Sequence, residues 1–470
     1  MLRKCPLIVI LGSTGTGKTK LSIEIAKKFK GEVIGADSMQ VYKGLDIVTA
    51  KATKQEQSQA VHHLLDVAQP GEAFTVVHYK TKALQIISDL LQKNTLPIIV
   101  GGTNYYIESI LWNVLVDSSC NKNLVAPRPS LNTLNNVQAQ NVSDDSSQES
   151  DDEFVANEIT FSQNQKKVTL TSEDEKKWEY MSGAELHEIL KKVDPKSALR
   201  LHPNNKRKIM RSLQIYLYTG KTHTEILQEQ RNPESGGCAI GGPLRFQNVV
   251  LIWLNCEQNI LNARLDSRVD SMMEEGLINE LKEFRDLYVR TQDSPDYTLG
   301  ILQTIGLKEL TPYLEYVERE ENIDENHKNK LLKECLDNLK LVTRRYARKQ
   351  NRWVRNRFLG YKDRQVPPVY ALDTSDPSKW NEMVRDPAFH IIESYISDTE
   401  PNLKPLEQVF NPNSSEDVDP EITHYCEICE RIFIGDFQWQ LHQKSNKHKK
   451  VAMSKAKRQE LHTDNKAVDM

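Results

Sequence analysis

Short apolar runs alternate with amphipathic stretches through the first quarter of the chain, and one more apolar run follows past its middle. The runs are rich in Val, Ile and Leu without strict alternation, which is typical of strands covered on both faces. They are Leu7–Leu11, Glu32–Ala36, His63–Val67, Pro97–Val100 and Val249–Asn255. Helical periodicity follows three of them, at Lys18–Phe29, Phe74–Lys93 and Asn104–Trp112. This rhythm predicts an α/β fold with a parallel sheet that binds ligands beyond the carboxyl ends of its strands.

The rest of the pattern predicts an insertion and a small separate module. Residues 118–175 are rich in Ser, Asn, Asp and Gln, which favours a solvated, disordered acidic segment. Helical periodicity resumes from Ser182 to Tyr218 and again from Arg264 to Phe358. The predicted domains are an α/β core at 1–116 and 216–360, an inserted, mainly helical domain at 117–215, a linker at 361–420, a small module at 421–455 and a basic tail at 456–470.

Composition narrows the class of protein. Among 470 residues, 62 are basic and 65 acidic, and no apolar run approaches the roughly 18 residues of a membrane span, which excludes an integral membrane protein. Five of the seven cysteines are scattered, as is typical of reduced thiols in a cytosol-like compartment. A strand at Leu7 and a functional loop at Gly12 leave no room for a cleaved presequence. We expect a cytoplasmic protein; a nuclear pool, and a mitochondrial pool made from another start site, stay open.

A complete phosphate-loop motif follows the first predicted strand. The pattern G-x-x-x-x-G-K-[ST] is matched between a strand and a helix, the context that the motif requires. Its glycines let backbone amides point at a phosphate group, its lysine adds charge, and its last hydroxyl can ligate Mg²⁺. A flexible glycine-rich turn is the alternative, and the motif leaves the phosphate compound open. The candidate residues are Gly12, Ser13, Thr14, Gly15, Thr16, Gly17, Lys18 and Thr19.

Asp37 and Thr103 come directly after the second and fourth predicted strands. Both therefore belong to the same rim of the sheet as the phosphate loop. A carboxylate at this rim can accept a proton from a nucleophile or bind Mg²⁺. Both residue types are also common in turns and as helix caps, so a purely structural role stays open for each.

Read together, the motifs resemble those of one family, the tRNA dimethylallyltransferases, also called tRNA isopentenyltransferases. The resemblance covers roughly residues 7–358, and the C-terminal module resembles the extension of eukaryotic members. Besides the phosphate loop, it rests on Ala36–Tyr42, Val100–Tyr106, Asp194-Pro195 with Leu201–Asn204, Gln303–Gly306 and Thr343–Gln350.

The resemblance implies transfer of a dimethylallyl group from dimethylallyl diphosphate to N6 of adenosine 37 of tRNA. The phosphate loop would then hold the donor's diphosphate, with Mg²⁺ on Thr19. Asp37 would be the catalytic base, Thr103 would contact the pyrophosphate or the base, and Arg268 would steady the pyrophosphate. An exposed Arg268 paired with Asp266 or Asp270 is the alternative. A P-loop kinase of a nucleoside or small metabolite and a non-catalytic RNA-binding adaptor are the competing functions.

The same resemblance implies several contacts with the anticodon stem-loop. The target base must be unstacked to reach the rim of the sheet. Residues 340–358 hold eight basic residues and no acid, a pattern that suits phosphate contacts but also describes a solvated helix face. At 205–206 the chain departs from the acid and glutamine that many members carry. The candidate tRNA contacts are Asp37, Ser38, Met39, Gln40, Thr103, Asn205, Lys206, Arg207, Gln303, Arg344, Arg348 and Arg352.

The small module carries the spacing of a zinc finger. Cys426-x₂-Cys429-x₁₂-His442-x₅-His448 suits a tetrahedral zinc site. The wide gap between the histidines resembles the matrin-type fingers, which favour RNA, and lysines surround the end of the module. A protein-docking finger is the alternative.

The expected fold of the whole chain is thus a P-loop parallel sheet with an inserted, mainly helical domain and a small C-terminal zinc finger. We expect a monomer that binds tRNA and dimethylallyl diphosphate and no membrane.

Overall fold

The computed structural model describes residues 5–114, 170–238, 240–290, 296–297, 299–319, 324–360, 364–408, 423–429, 431–434 and 436–455. They divide into two compact units, residues 5–114 with 243–408 and residues 170–242 with 423–455. Most of the predicted disordered segment, residues 118–169, and the predicted basic tail at 456–470 lie outside the described residues. In the described part of the chain, no helix is both long and apolar enough to cross a bilayer.

The first unit contains a six-stranded, wholly parallel sheet in the order β3-β2-β4-β1-β5-β6. This confirms the predicted α/β class. The strands are β1 Leu7–Gly12, β2 Glu32–Gly35, β3 His62–His63, β4 Pro97–Val100, β5 Val249–Asn255 and β6 Val369–Asp373. The longer prediction for the third strand is wrong, because Leu64 and Asp66 adopt positive φ angles of 61° and 54° that turn the chain away from the sheet.

Helices cover both faces of this sheet. Leu7, Val9 and Leu11 of β1 pack toward one face, and Ile8 and Ile10 pack toward the other. This two-sided burial explains why the strands show no alternation. The helices of this unit are α1 Lys18–Phe29, α2 Lys54–Gln57, α3 Val76–Gln92, α4 Asn104–Leu111, then, after the inserted helices, α10 Gln258–Glu274, α11 Leu277–Phe284, α12 Leu307–Arg319, α13 Glu325–Trp353 and α14 Asp386–Ser397.

The predicted linker at 361–420 is wrong for residues 364–408, which complete the core. Strand β6 pairs with β5, with Val369 opposite Leu251. Ile391 and Ile392 of α14 are buried beneath the sheet. Many prolines and only short apolar runs favour a linker, but several of the apolar residues are spaced so that they are buried, among them Leu372, Val384 and Ile391. Residues 361–363 and 409–420 of the predicted linker lie outside the described residues.

Trp380 shows how closely this segment is joined to the core. Its ring lies against Gly17, where an added Cβ atom would come within 2.8 Å of two ring carbons. Its indole Nε1–H donates to Glu24 Oε2 at 2.9 Å.

Trp380→Ala should therefore lower the free energy of unfolding by about 3–5 kcal/mol, the usual cost of truncating a buried tryptophan. Chemical denaturation measures this, with Trp380→Phe as the milder control. An unchanged midpoint in Trp380→Ala would mean that the segment is not part of the cooperative core.

The second unit contains the inserted helices and the C-terminal module. The inserted helices are α5 Ser172–Trp178, α6 Gly183–Val193, α7 Pro195–Arg200, α8 Lys206–Thr219 and α9 His223–Arg231. The predicted end of the insertion at 215 is wrong, because α8 and α9 continue beyond it and the unit ends at Gly242. Asp194 caps α7 and also binds the first turn of α9, since its carboxylate accepts bonds from the backbone N–H groups of Ser197 and Thr224. The module consists of the hairpin β7 Thr423–Cys426 and β8 Arg431–Ile434 followed by α15 Asp436–Lys444.

Candidate active site

The phosphate loop depends on glycine at its first position and exposes the amino end of α1. Gly12 has φ 147°, and an added Cβ would lie 2.8 Å from the carbonyl oxygen of Leu254. Gly15 and Gly17 adopt left-handed conformations, with φ 83° and 84°. In the described chain no side chain caps α1, which begins directly after Gly17. Its first backbone N–H groups therefore point into the loop, the usual geometry for binding an anion.

Lys18 supplies a poorly solvated positive charge to this loop. Its Nζ donates to the carbonyl oxygen of Ser13 at 2.8 Å, and Thr16 Oγ1 donates to the same oxygen at 2.8 Å. Burial, opposed by the charge of Asp37 and reinforced by that of Arg268, lowers the pKa of Lys18 to about 8. A bound anion would stabilise the charged form of such a lysine.

Arg268 reaches the loop because α10 packs directly beneath it. Leu265 of α10 lies 3.0 Å from the position that a Cβ on Gly15 would take. About one turn further along the helix, Arg268 Nη1 donates to Thr14 Oγ1 at 3.1 Å. Burial lowers the pKa of Arg268, and the charges of Asp37 and Glu275 oppose this effect.

The alternative partners proposed for Arg268 are engaged elsewhere. Asp266 accepts from Arg344 Nη1 at 2.7 Å, and Asp270 accepts from Lys340 Nζ at 2.6 Å. Both cations belong to α13. The structure therefore places Arg268 beside the phosphate loop rather than in a surface ion pair with Asp266 or Asp270.

Asp37 and Thr103 meet at the ends of β2 and β4. The backbone N–H of Thr103 donates to the carbonyl oxygen of Ala36 at 3.0 Å. Thr103 Oγ1 accepts from the backbone N–H of Ser38 at 3.0 Å and does not cap α4. Asp37 Oδ1 accepts from the backbone N–H of Met39 at 3.0 Å, which is a turn contact, while Oδ2 lies 3.3 Å from the Cβ position of Gly102. One carboxylate oxygen thus shapes the turn and the other lies beside the neighbouring loop.

Two residues of α13 complete the rim, and the sequence reasoning missed the role of both. Gln350 Oε1 accepts from the backbone N–H of Thr14 at 2.9 Å, and its Nε2 donates to the carbonyl oxygen of Gly102 at 2.9 Å. One turn earlier, Tyr346 hydrogen-bonds with Thr103 and Gln350, and burial raises its pKa. One sequence feature could have indicated these roles. Tyr346 and Gln350 are four residues apart, so they share one face of α13, and the buried Ala347 marks that face as the inner one of an otherwise basic helix.

The remaining candidate RNA contacts of this unit differ in whether their side chains are already engaged by other residues or are exposed. Gln40 Nε2 already donates to the carbonyl oxygens of Thr49 and Ala50, at 3.0 and 3.2 Å. The Arg344 guanidinium is engaged by Asp266, whereas Arg348 and Arg352 are exposed. Ser38 Oγ contacts Thr103 Oγ1 at 3.2 Å; Met39 is half-buried, and Gln303 is exposed.

In the second unit, the three predicted contacts cluster at the start of α8. Asn205 caps this helix, its Oδ1 accepting from the backbone N–H of Lys208 at 3.3 Å. Lys206 Nζ donates to the carbonyl oxygen of Glu179 at 2.7 Å, and Arg207 is exposed. Asn205 and Lys206 therefore have structural contacts of their own, and Arg207 is the accessible member.

A cavity of about 340 Å³ adjoins the phosphate loop. Thr19 and Arg268 line it, together with the carboxylates of Asp46, Glu56 and Glu275. Lys51 and Lys54 line it as well, and Asp46 Oδ1 already accepts from Lys51 Nζ at 2.7 Å. The cavity is therefore mixed in charge, and the residue that would hold a magnesium ion at the edge of the loop is Thr19, through its hydroxyl.

The four predicted zinc ligands converge. The ligand atoms of Cys426, Cys429, His442 and His448 all lie within 4.8 Å of one another. His442 Nε2 is buried and has no hydrogen-bond partner in the described chain. Ser445 Oγ donates to the carbonyl oxygen of His442 at 2.7 Å and accepts from the backbone N–H of His448 at 3.1 Å. This restart of the helix accommodates the wide histidine spacing, and the donor set suits a tetrahedral zinc ion.

Known protein families match the region before the C-terminal module and the C-terminal module itself. A family described as IPP transferase matches residues 40–357, and one described as isopentenyl transferase matches residues 5–68. A family described as zinc-finger double-stranded RNA-binding matches residues 423–449.

Curated relatives and a solved structure extend this likeness over nearly the whole chain. A tRNA dimethylallyltransferase from Homo sapiens is 42% identical over 95% of this chain and 85% of its own length. That from Saccharomyces cerevisiae is 30% identical over 94% of this chain and 91% of its own length. A solved structure described as crystallographic snapshots of a eukaryotic dimethylallyltransferase acting on tRNA aligns with this chain at TM-score 0.72 and 27% sequence identity. The alignment covers 99% of this chain and 100% of that chain.

Proposed function

The chain belongs to the tRNA dimethylallyltransferase family, and from this premise we propose how its residues transfer a dimethylallyl group from dimethylallyl diphosphate to N6 of adenosine 37 of tRNA. The observation that carries the proposal is the shared rim, where the phosphate loop with Lys18 and Arg268 faces the pair Asp37 and Thr103. A diphosphate site and a candidate base thus lie side by side.

The donor half of the site stabilises a leaving diphosphate. In the reaction the bond between the allylic carbon and the diphosphate oxygen breaks, so negative charge grows on the diphosphate. The backbone N–H groups of the loop, Lys18 and Arg268 are arranged before the reaction to meet that charge. Thr19 would hold Mg²⁺, which supplies further neutralisation of the diphosphate.

The acceptor half removes one proton. As N6 of adenosine forms its bond to the allylic carbon, the amine hydrogen becomes acidic, and Asp37 accepts it. Thr103 is held against Ser38 by two hydrogen-bonding contacts, so its hydroxyl has a fixed position beside Asp37. An adenosine in an anticodon loop must be unstacked to reach this rim.

A two-substrate comparison tests this assignment. The protein is incubated with Mg²⁺, unmodified tRNA and either labelled dimethylallyl diphosphate or labelled ATP, and separately with ATP and free nucleosides. We expect label in tRNA from dimethylallyl diphosphate alone. Phosphate transfer from ATP to a nucleoside, without prenylation of tRNA, would support a P-loop kinase instead.

We infer that the anticodon stem-loop lies along the exposed cations of α13. Arg348, Lys349 and Arg352 are exposed on this helix and make no ion pair within the described residues. Such a row suits phosphate contacts, which give affinity without sequence choice. In the other unit, Arg207 is the accessible candidate for the same kind of contact.

We propose that the C-terminal module binds Zn²⁺ through Cys426, Cys429, His442 and His448 and adds affinity for tRNA. Cys426→Ser with Cys429→Ser should unfold the module, because so small a finger depends on its metal. The tRNA KM should rise while kcat and the donor KM change little. Lys444, Lys447, Lys449 and Lys450 suggest phosphate contacts, so the defect should shrink as salt rises.

Titration of wild type and double variant against tRNA at two salt concentrations measures this effect. Cys5→Ser, outside the cluster, is the matched control for loss of a thiol. Equal affinities of wild type and double variant at low salt would mean that the module serves something other than substrate tRNA, such as a protein partner.

A further inference from the structure

Gln350 lies where three segments of the site meet. Its side chain joins the phosphate loop at Thr14 to the loop after β4 at Gly102, with both hydrogen bonds at 2.9 Å. Its own backbone carbonyl accepts from Asn104 Nδ2 at 3.1 Å, which ties the same turn of α13 to the start of α4. The side chain is 4% exposed, so solvent cannot easily replace these bonds.

Both ends of this amide are used by backbone groups of two functional loops, and Tyr346 is a further hydrogen-bond partner of the side chain. Removing the side chain leaves the N–H of Thr14 and the carbonyl of Gly102 without these partners, a cost that buried polar groups feel strongly. A loop that loses such a hydrogen bond can adopt other backbone conformations. Beyond the pairing of β1 with β4, the side chain of Gln350 is thus a direct link between the two loops.

The amide also stands beside the candidate base. The Cβ position of Gly102 lies 2.5 Å from Gln350 Nε2 and 3.3 Å from Asp37 Oδ2. Among the described residues, titratable and charged groups on four helices act electrostatically with Asp37: Lys18 of α1, Tyr106 of α4, Arg268 of α10 and Tyr346 of α13. A charge placed at residue 350 would therefore be felt by Asp37.

The opposite face of the same helix carries the exposed cations. Arg348, Lys349 and Arg352 flank Gln350 in sequence and point to solvent. A hydrophobic cluster of Leu261, Leu265 and Ala347 fixes α13 against α10 and thereby against the phosphate loop. One rigid helix thus carries both the candidate RNA surface and the contacts to the two loops.

We propose that Gln350 is a positioning residue for the transfer: it holds the phosphate loop and the Gly102–Thr103 loop at the separation at which the donor carbon meets the acceptor amine. This inference rests on the proposed function of the same site. Gln350 does not touch the reacting atoms in this account; it acts through Thr14 and Gly102.

The test uses the full-length protein and three variants. Gln350→Met keeps the length of the side chain and removes both hydrogen bonds. A misplacement on the order of 1 Å can cost about 100-fold in rate, so we expect kcat to fall by about 100-fold while tRNA affinity changes little. Because the Thr14 N–H and the Gly102 carbonyl lose their partners, the variant should also melt at a lower temperature than wild type, and kcat is measured where both are folded. Asn338→Met, an exposed amide on α13, is the matched control and should behave like wild type.

Gln350→Glu separates positioning from a merely structural role. It keeps an acceptor for the Thr14 N–H, loses the donor to Gly102 and places a carboxylate beside Asp37. Two carboxylates in one site disfavour ionisation of the second. If Asp37 must be ionised to accept the proton, the acid limb of the rate profile should shift to higher pH in this variant.

The outcomes are distinct. If wild type transfers prenyl groups and a folded Gln350→Met keeps kcat within about twofold, the inference is overturned. If Gln350→Met does not fold, a Gln350→Glu variant with wild-type kcat and an unshifted profile overturns it equally. Absence of transfer by wild type would overturn the proposed function, and this inference with it.

Discussion

Lys18→Ala is expected to abolish measurable transfer at ordinary donor concentrations. The variant loses the only side-chain ammonium bonded to the carbonyl oxygen of Ser13 in the described loop, and with it a charge that meets the departing diphosphate. Losing one preorganised donor in such a site typically costs about 10²–10³ in rate, and a full charge at a desolvated position should cost at least as much. Donor-saturation kinetics with fixed tRNA measure the effect.

Binding of tRNA should survive this change, because the candidate RNA surface on α13 does not include Lys18. Lys18→Arg is the matched control: it keeps the charge, so the remaining defect reports geometry alone. A wild-type transfer rate in Lys18→Ala would mean that the loop does not hold the donor's diphosphate.

Asp37→Asn should reduce the chemical step by about 10²–10⁴, the range usual for loss of a general base. The amide oxygen can still accept from the backbone N–H of Met39, so the turn after β2 should persist. Single-turnover measurement with bound tRNA isolates the chemical step from product release. Asp337→Asn, exposed on α13, is the control for loss of a carboxylate. An unchanged single-turnover rate would leave Asp37 a turn residue only.

Much of the sheet could be predicted because its strands are short, apolar and covered on both faces. The prediction for Val249–Asn255 agrees with the observed β5, and that for Pro97–Val100 agrees with β4. Strand β6 was missed because residues 369–373 stand among prolines, and only their pairing with β5 shows their role. Local composition does not reveal a partner that lies more than 100 residues away.

Contacts between residues distant in sequence also limited what could be predicted of the candidate active site. The phosphate loop could be recognised because its function depends on a contiguous pattern of glycines before a helix. Arg268 came from the family resemblance, and the structure accounts for its position through packing of Leu265 on Gly15. The role of Gln350 was missed because its partner Thr14 lies 336 positions away and nothing near Gln350 marks that contact. A glutamine within a row of cations reads as part of a solvated face until the packing of the helix is known.

The central claim, that donor and adenosine 37 meet between the phosphate loop and Asp37, is tested most directly by nucleoside analysis. Full-length protein is incubated with dimethylallyl diphosphate, Mg²⁺ and an unmodified tRNA, and in parallel with the same tRNA carrying guanosine at position 37. We expect N6-dimethylallyladenosine in digests of the first tRNA and no prenylated nucleoside in the second. A digest of the first tRNA without that nucleoside, or prenylation of both tRNAs alike, would contradict this claim.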